Sequence, residues 1–121
     1  MGLDNFASRS PEDIVLTDED LEAFQQADIS LCGGIFSGDG SDGSFRGKVY
    51  LILILEITGI AINQEWTPPE EIREIYQSLM AFDPQQGIDA FGFRNTIEDL
   101  INLRKFFRVC SERGLGLIGW A

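Results

Sequence analysis

Histidine is absent from the chain, and that one gap removes a large share of enzyme chemistry. Without an imidazole there is no serine or cysteine nucleophile paired with a histidine base, no imidazole proton shuttle and no histidine-ligated zinc. Cysteine is nearly as scarce. Cys32 and Cys110 stand far apart, so one copy of the chain cannot assemble a four-cysteine zinc site or an iron–sulfur cluster. No cofactor is expected.

Positive charge is also thin. Nine Lys and Arg face twenty Asp and Glu, a net charge of -11, whereas cations supply most of the affinity for a phosphate backbone. Nucleic acid is therefore excluded as a partner. The first residues lack a basic segment followed by an apolar core, so no secretory signal is expected. Gly2 is not followed by the Ser or Thr at position 6 that myristoylation requires, because Phe6 stands there. The most apolar stretch, Val49 to Ile62, is interrupted by Glu56 and Gly59 and is far short of the ~20 residues that span a bilayer. A cytoplasmic protein with two free thiols and no membrane contact is the expectation.

The charge is polarised along the chain: residues 1–42 hold ten acids and a single base, Arg9, while residues 43–121 hold ten acids and eight bases. The acidic N-terminal segment, 1–28, thus contrasts with a nearly balanced remainder.

Local signals predict the elements. Thr17 before Asp18, Glu19 and Asp20 is an N-cap with acids in the first turn, and Leu21, Phe24 and Ala27 continue an apolar face, so a helix is expected over 18–27. Residues 29–36, with β-branched and aromatic residues around Cys32-Gly33-Gly34, read as a short strand or extended segment. The run from Phe45 to Thr58 reads as a buried central helix capped by Ser44 and closed by Gly59, with a strand as the alternative for 49–58. Thr67-Pro68-Pro69-Glu70 spells a capping box opening a helix over 68–82, stopped by Asp83-Pro84 and Gly87. Thr96 with Asp99 starts a last helix that runs to about Arg113 before Gly114, and the apolar segment 115–121 docks as a terminal strand. The fold class expected is α+β and predominantly helical: about four helices around a buried central helix, with short extended segments near 29–36 and 115–121, in one compact domain over 1–121.

Residues 37–44, Ser-Gly-Asp-Gly-Ser-Asp-Gly-Ser, contain only glycine, serine and aspartate. A strand, a glycine-rich turn and a helix in that order is the arrangement that cradles phosphate on backbone N–H groups, yet the spelling departs from a Walker A motif. Gly47-Lys48 is followed by Val49 instead of Ser or Thr, and Asp42 stands where glycine should. As a calcium loop beginning at Asp39, the run fails at the fifth, sixth and twelfth positions, which are Gly43, Ser44 and Tyr50. A single Gly-x-Gly-x-Asp copy cannot stack as a nonapeptide repeat does. The loop reads first as a turn-forming surface connection and second as a site for an anion or divalent ion.

Among single residues, Cys110 is read as a small core residue. Cys32 precedes Gly33 and Gly34 at the mouth of the loop, where an activated thiolate would need a histidine, a cation or a helix N-terminus nearby. Glu56 and Lys48 mark a solvent-facing stripe of the 45–58 helix. Arg104, Lys105, Arg108 and Arg113 suit the negative end of their helix and also offer an answer to the acids of 12–28, within one molecule or across a homodimer. Trp66 and Trp120 are read as core or rim residues.

Two functions follow as expectations. The first is a small acidic, cytosolic, inhibitor- or adaptor-like protein-interaction module without catalytic activity, meeting a basic protein through Glu12, Asp13, Asp18, Glu19, Asp20 and Glu22. The second is a small-ligand, nucleotide or divalent-metal protein using loop 32–48, with Cys32, Gly33, Gly34, Asp39, Asp42, Arg46, Lys48 and Glu56 as its candidate residues.

Overall fold

Two capping boxes and two left-handed closures frame the helices. The computed structural model describes residues 2–87 and 95–120. Helix α1, Asp18–Gln26, opens on Thr17, whose hydroxyl accepts from the Asp20 N–H at 3.1 Å while the Asp20 carboxylate accepts from the Thr17 N–H at 2.9 Å. Helix α2, Leu51–Thr58, closes at Gly59 in the left-handed region with φ 75°. Helix α3, Pro69–Ala81, is followed by a single turn α4, Pro84–Gly87. Helix α5, Ile97–Arg113, opens on a reciprocal Thr96–Asp99 box and closes at Gly114 with φ 67°. Each of these signals is local, which is why the sequence carries them.

A four-stranded antiparallel sheet completes a mixed α+β fold. Its strands are β1 Asp4–Ser8, β2 Ser44–Phe45, β3 Trp66–Thr67 and β4 Gly116–Trp120, in the order β2-β1-β4-β3. The terminal strand expected over 115–121 is β4, pairing along all of β1 from Asp4 opposite Trp120 to Ser8 opposite Gly116; Ala121 lies outside the described residues. Side chains alternate across the sheet. Ala7, Phe45 and Leu117 enter the core, whereas Phe6 and Trp120 meet edge-on, with ring centroids 5.5 Å apart, on the opposite face.

The core lies between the inner sheet face and the helices. Phe106 of α5 is its aromatic centre, with ring centroids 4.8 Å from Phe45, 5.1 Å from Phe24 and 5.6 Å from Phe107. Such edge-on and tilted pairs contribute stabilisation beyond that of the area they bury. Cys110 is fully buried beside them, and burial pushes its thiol well above its ordinary range. It is an inert core residue.

Several expectations are corrected by long-range contacts. The run expected as one helix over 45–58 splits into β2, a 3-10 turn Gly47–Val49, and α2. Ser44 and Phe45 pair with β1, and Gly47 lies so close to the buried Asn5 side chain that a Cβ there would collide with it. α2 is not the buried centre: it buries Leu53 and Ile54 but leaves Ile52, Leu55 and Glu56 exposed, while α5 buries seven residues. Residues 29–36 join no strand. Ile29 and Leu31 are buried, and the backbone bonds go to Asn102, to Asp39 and from Arg46 instead of to a sheet neighbour. Thr67 belongs to β3 opposite Leu117, so Pro68 takes the cap position of α3 and no side-chain cap forms.

Asp20 ties three distant pieces together. Its carboxylate, with no exposed side-chain surface, accepts two hydrogen bonds from Arg9 at 2.8 and 2.7 Å, one from Arg113 at 2.5 Å, and the Thr17 N–H. Burial alone would raise its pKa. The bonds from Arg9, the Thr17 backbone, Arg113 and the Thr17 hydroxyl outweigh that and hold the carboxyl well below its usual range.

A group with a depressed folded pKa stabilises above its unfolded value of about 3.9 and loses that contribution as pH falls through the folded value. Stability is therefore expected to drop as pH falls below about 4, and the drop should shrink in Asp20→Asn. At neutral pH, Asp20→Asn should cost about 2–4 kcal/mol by urea denaturation, less than a fully buried pair because both arginines are partly exposed.

Candidate functional site

The glycine-rich loop is internally satisfied. Asp39 accepts from the hydroxyl and the N–H of Ser41 at 2.6 and 3.0 Å, and these two bonds hold its carboxyl below the usual range. Asp42 accepts from the N–H and hydroxyl of Ser44 at 3.0 and 2.8 Å, and the Ser44 hydroxyl accepts from the Gly38 N–H. Gly40 and Gly43 adopt φ 97° and 82°, which only a residue without a Cβ reaches cheaply. The Gly43 carbonyl then takes the Ala7 N–H, fastening the loop to β1. The amides of Gly38, Gly40, Ser41, Gly43 and Ser44, which a phosphate would use, are directed at acceptors within the loop itself. Among the described residues, no group of three or more Cys, Asp or Glu is placed to hold a metal ion.

The other candidate residues separate in space. Lys48 and Glu56 are exposed on the 3-10 turn and α2. Cys32 is exposed, and its N–H donates to the buried Tyr50 hydroxyl at 2.7 Å. Gly34 and Arg46 do come together, in an open groove of about 660 Å³ completed by Gly2, Asp4, Ile35, Phe36 and Trp120. It lies where the 33–37 turn leans on the outer sheet face. Ser37 clasps that turn: its hydroxyl donates to Asp4 at 2.5 Å and accepts the Gly34 N–H at 3.0 Å. A side chain on Gly34 would collide with Asp4.

The basic residues of α5 are engaged within the molecule. Arg104 donates to the carbonyls of Leu79 and Phe82 at the end of α3, at 2.8 and 2.7 Å. Lys105 holds the carbonyl of Asp28, where the chain turns after α1 with φ 57°. Arg108 pairs with Glu112, and Arg113 with Asp20. Of the six acids expected to meet a partner, Asp20 alone is taken up by cations. Glu12, Asp13, Asp18, Glu19 and Glu22 are exposed and form no ion pair with another described residue.

Between β1 and α1, residues 9–16 form a pinned loop that sequence reasoning did not single out. The buried Ser8 hydroxyl accepts from the N–H groups of Ser10 and Val15 at 3.1 and 2.9 Å and lies within donating distance of the Ser10 and Asp13 carbonyls. The Arg9 N–H closes the loop on the Val15 carbonyl at 2.9 Å, while the Arg9 side chain reaches Asp20. Ile14 and Val15 are left 46% and 44% exposed between the acids. An apolar pair inside an acidic stretch directly after Pro11 was the signal available. Comparison with protein-family models, with curated proteins and with solved structures returns no match to the chain.

Because the glycine-rich loop satisfies itself, millimolar calcium or inorganic phosphate should leave the melting temperature unchanged. Ser44→Ala removes a hydroxyl that serves two loop partners and should cost about 1–3 kcal/mol by chemical denaturation. A rise in melting temperature with either ion would contradict this reading of the loop.

Proposed function

We propose that the chain is a single-domain, cytosolic, non-catalytic protein-interaction module that docks on a basic partner through the pinned loop 9–16 and the acidic first turns of α1. The observation that carries the reading is the loop's construction. Ser8 and Arg9 fix its base by four short bonds, and its outer side presents Ile14 and Val15 flanked by Glu12, Asp13, Asp18 and Glu19. An apolar centre with a charged rim is the anatomy of a docking patch, and a loop held in shape before contact loses little freedom on binding.

The cations of α5 support the same reading by being engaged elsewhere, so the exposed acids keep their charge for an outside partner. Long-range attraction from a net charge of -11 speeds encounter with a basic surface and weakens with salt. Two unbridged cysteines, one of them exposed, accord with a reducing compartment. No described helix is long and apolar enough to cross a membrane.

Affinity capture at low salt should recover a basic protein that elutes as salt is raised. Ile14→Asp/Val15→Asp should weaken the isolated complex at least about tenfold through faster dissociation, and Glu12→Lys/Glu19→Lys should chiefly slow association. A partner that binds both variants as it binds the parent, or whose affinity ignores salt, would contradict the proposal.

A further inference from the structure

Outside the acidic loop, the most exposed of the large apolar side chains among the described residues gather at the groove between the 33–37 turn and the end of β4. Ile35 is 92% exposed, Phe36 71% and Trp120 57%. Phe36 stands edge-on to Trp120, with ring centroids 6.3 Å apart, and Trp120 is itself braced edge-on against the buried Phe6. The aromatic wall is therefore supported from below and open above. Water-exposed aromatic surface of this extent is costly to leave uncovered, and contiguous patches of it mark binding sites.

The same groove holds one charge of each sign, kept apart. Arg46 and Asp4 both line it, yet they form no ion pair with each other or with any other described residue. Ser37 occupies Asp4 Oδ1 and leaves Oδ2 available. Arg9, Arg108 and Arg113 have carboxylate partners, whereas Arg46, like the exposed Arg73 on α3, has no acid paired with it among the described residues, and Arg46 is the one that lines this groove.

We propose that this groove binds a short apolar peptide as its zwitterion. The terminal carboxylate pairs with the Arg46 guanidinium, the terminal ammonium pairs with Asp4, and the side chains lie against Phe36, Trp120 and Ile35. Arg is suited to the carboxylate by its planar fork of donors. Both peptide charges are met, so neither is desolvated without compensation. Size allows it: the groove's volume of about 660 Å³ lies within the range of about 300–1,000 Å³ typical of small-ligand sites, enough to seat an apolar dipeptide. This site stands apart from the pinned acidic loop, and the proposal does not rest on the partner assigned to that loop.

The test is titration calorimetry with the dipeptide Leu-Phe, its N-acetyl form and its C-terminal amide, with the groove located by NMR shifts of the Trp120 indole. Leu-Phe should bind in the submillimolar to millimolar range, and each blocked form about tenfold more weakly. Arg46→Gln should remove the discrimination against the amide while leaving that against the acetyl form. Asp4→Asn, which keeps an acceptor for Ser37, should do the reverse, and Ile14→Asp/Val15→Asp should change neither. Because Arg46 is exposed and Asp4→Asn is nearly isosteric, both variants should retain the parent's NMR spectrum away from the groove. No binding at 10-fold above the millimolar range, equal affinity for free and blocked peptides, or shifts confined to residues outside the groove would overturn the proposal.

Discussion

A single buried carboxylate holds the parts of this molecule in register. Asp20 draws Arg9 from the end of β1 and Arg113 from the last turn of α5 onto the N-terminus of α1, where it also completes the Thr17 capping box. Removing a carboxylate from water is expensive, and four hydrogen bonds from two cations and a backbone amide are what make it tolerable. The geometry that results sets the exit of β1 and the entry of α1, and so fixes both ends of the loop between them. Within that frame, the bonds of Ser8 and of the Arg9 N–H to Val15 and Asp13 hold Ile14 and Val15 in a defined place at the surface.

The same economy of cations shapes the surface charge. Arg104 and Lys105 satisfy carbonyls at the ends of α3 and α1, which backbone geometry leaves without helical partners. Arg108 and Arg113 face acids. The positive charge of α5 and of Arg9 is thus engaged within the molecule, and the acids of residues 12–22 other than Asp20 stay at the surface without ion-pair partners among the described residues. Arg46, Lys48 and Arg73 lie outside this pattern, and Arg46 does so beside the exposed Phe36 and Trp120.

What the sequence disclosed depended on range. Caps at Thr17 and Thr96 and the closures at Gly59 and Gly114 are contained within a few residues, and each was legible. The pairing of Ser44-Phe45 with β1 and of Thr67 with Leu117 depends on partners tens of residues away, and for two-residue strands no period exists to read. β1 itself was missed because Asp4–Ser8 mixes polar and apolar residues, all but Asp4 buried once Asn5 and Ser8 acquire bonds to distant or looping backbone. At the candidate sites, Arg46 and Gly34 were legible from the unusual loop they flank. Ile35, Phe36 and Trp120 read as ordinary apolar residues, since only the folded sheet shows which apolar side chains are left outside.

Amide hydrogen exchange of Arg9, Ser10 and Val15 tests the account's central claim, that the acidic loop is held in shape before any partner arrives. Protection of all three in the parent, lost in Ser8→Ala while the amides of α5 stay protected, is the outcome the account requires. Free exchange of these amides in the parent, at the rate of an unstructured segment, would contradict it.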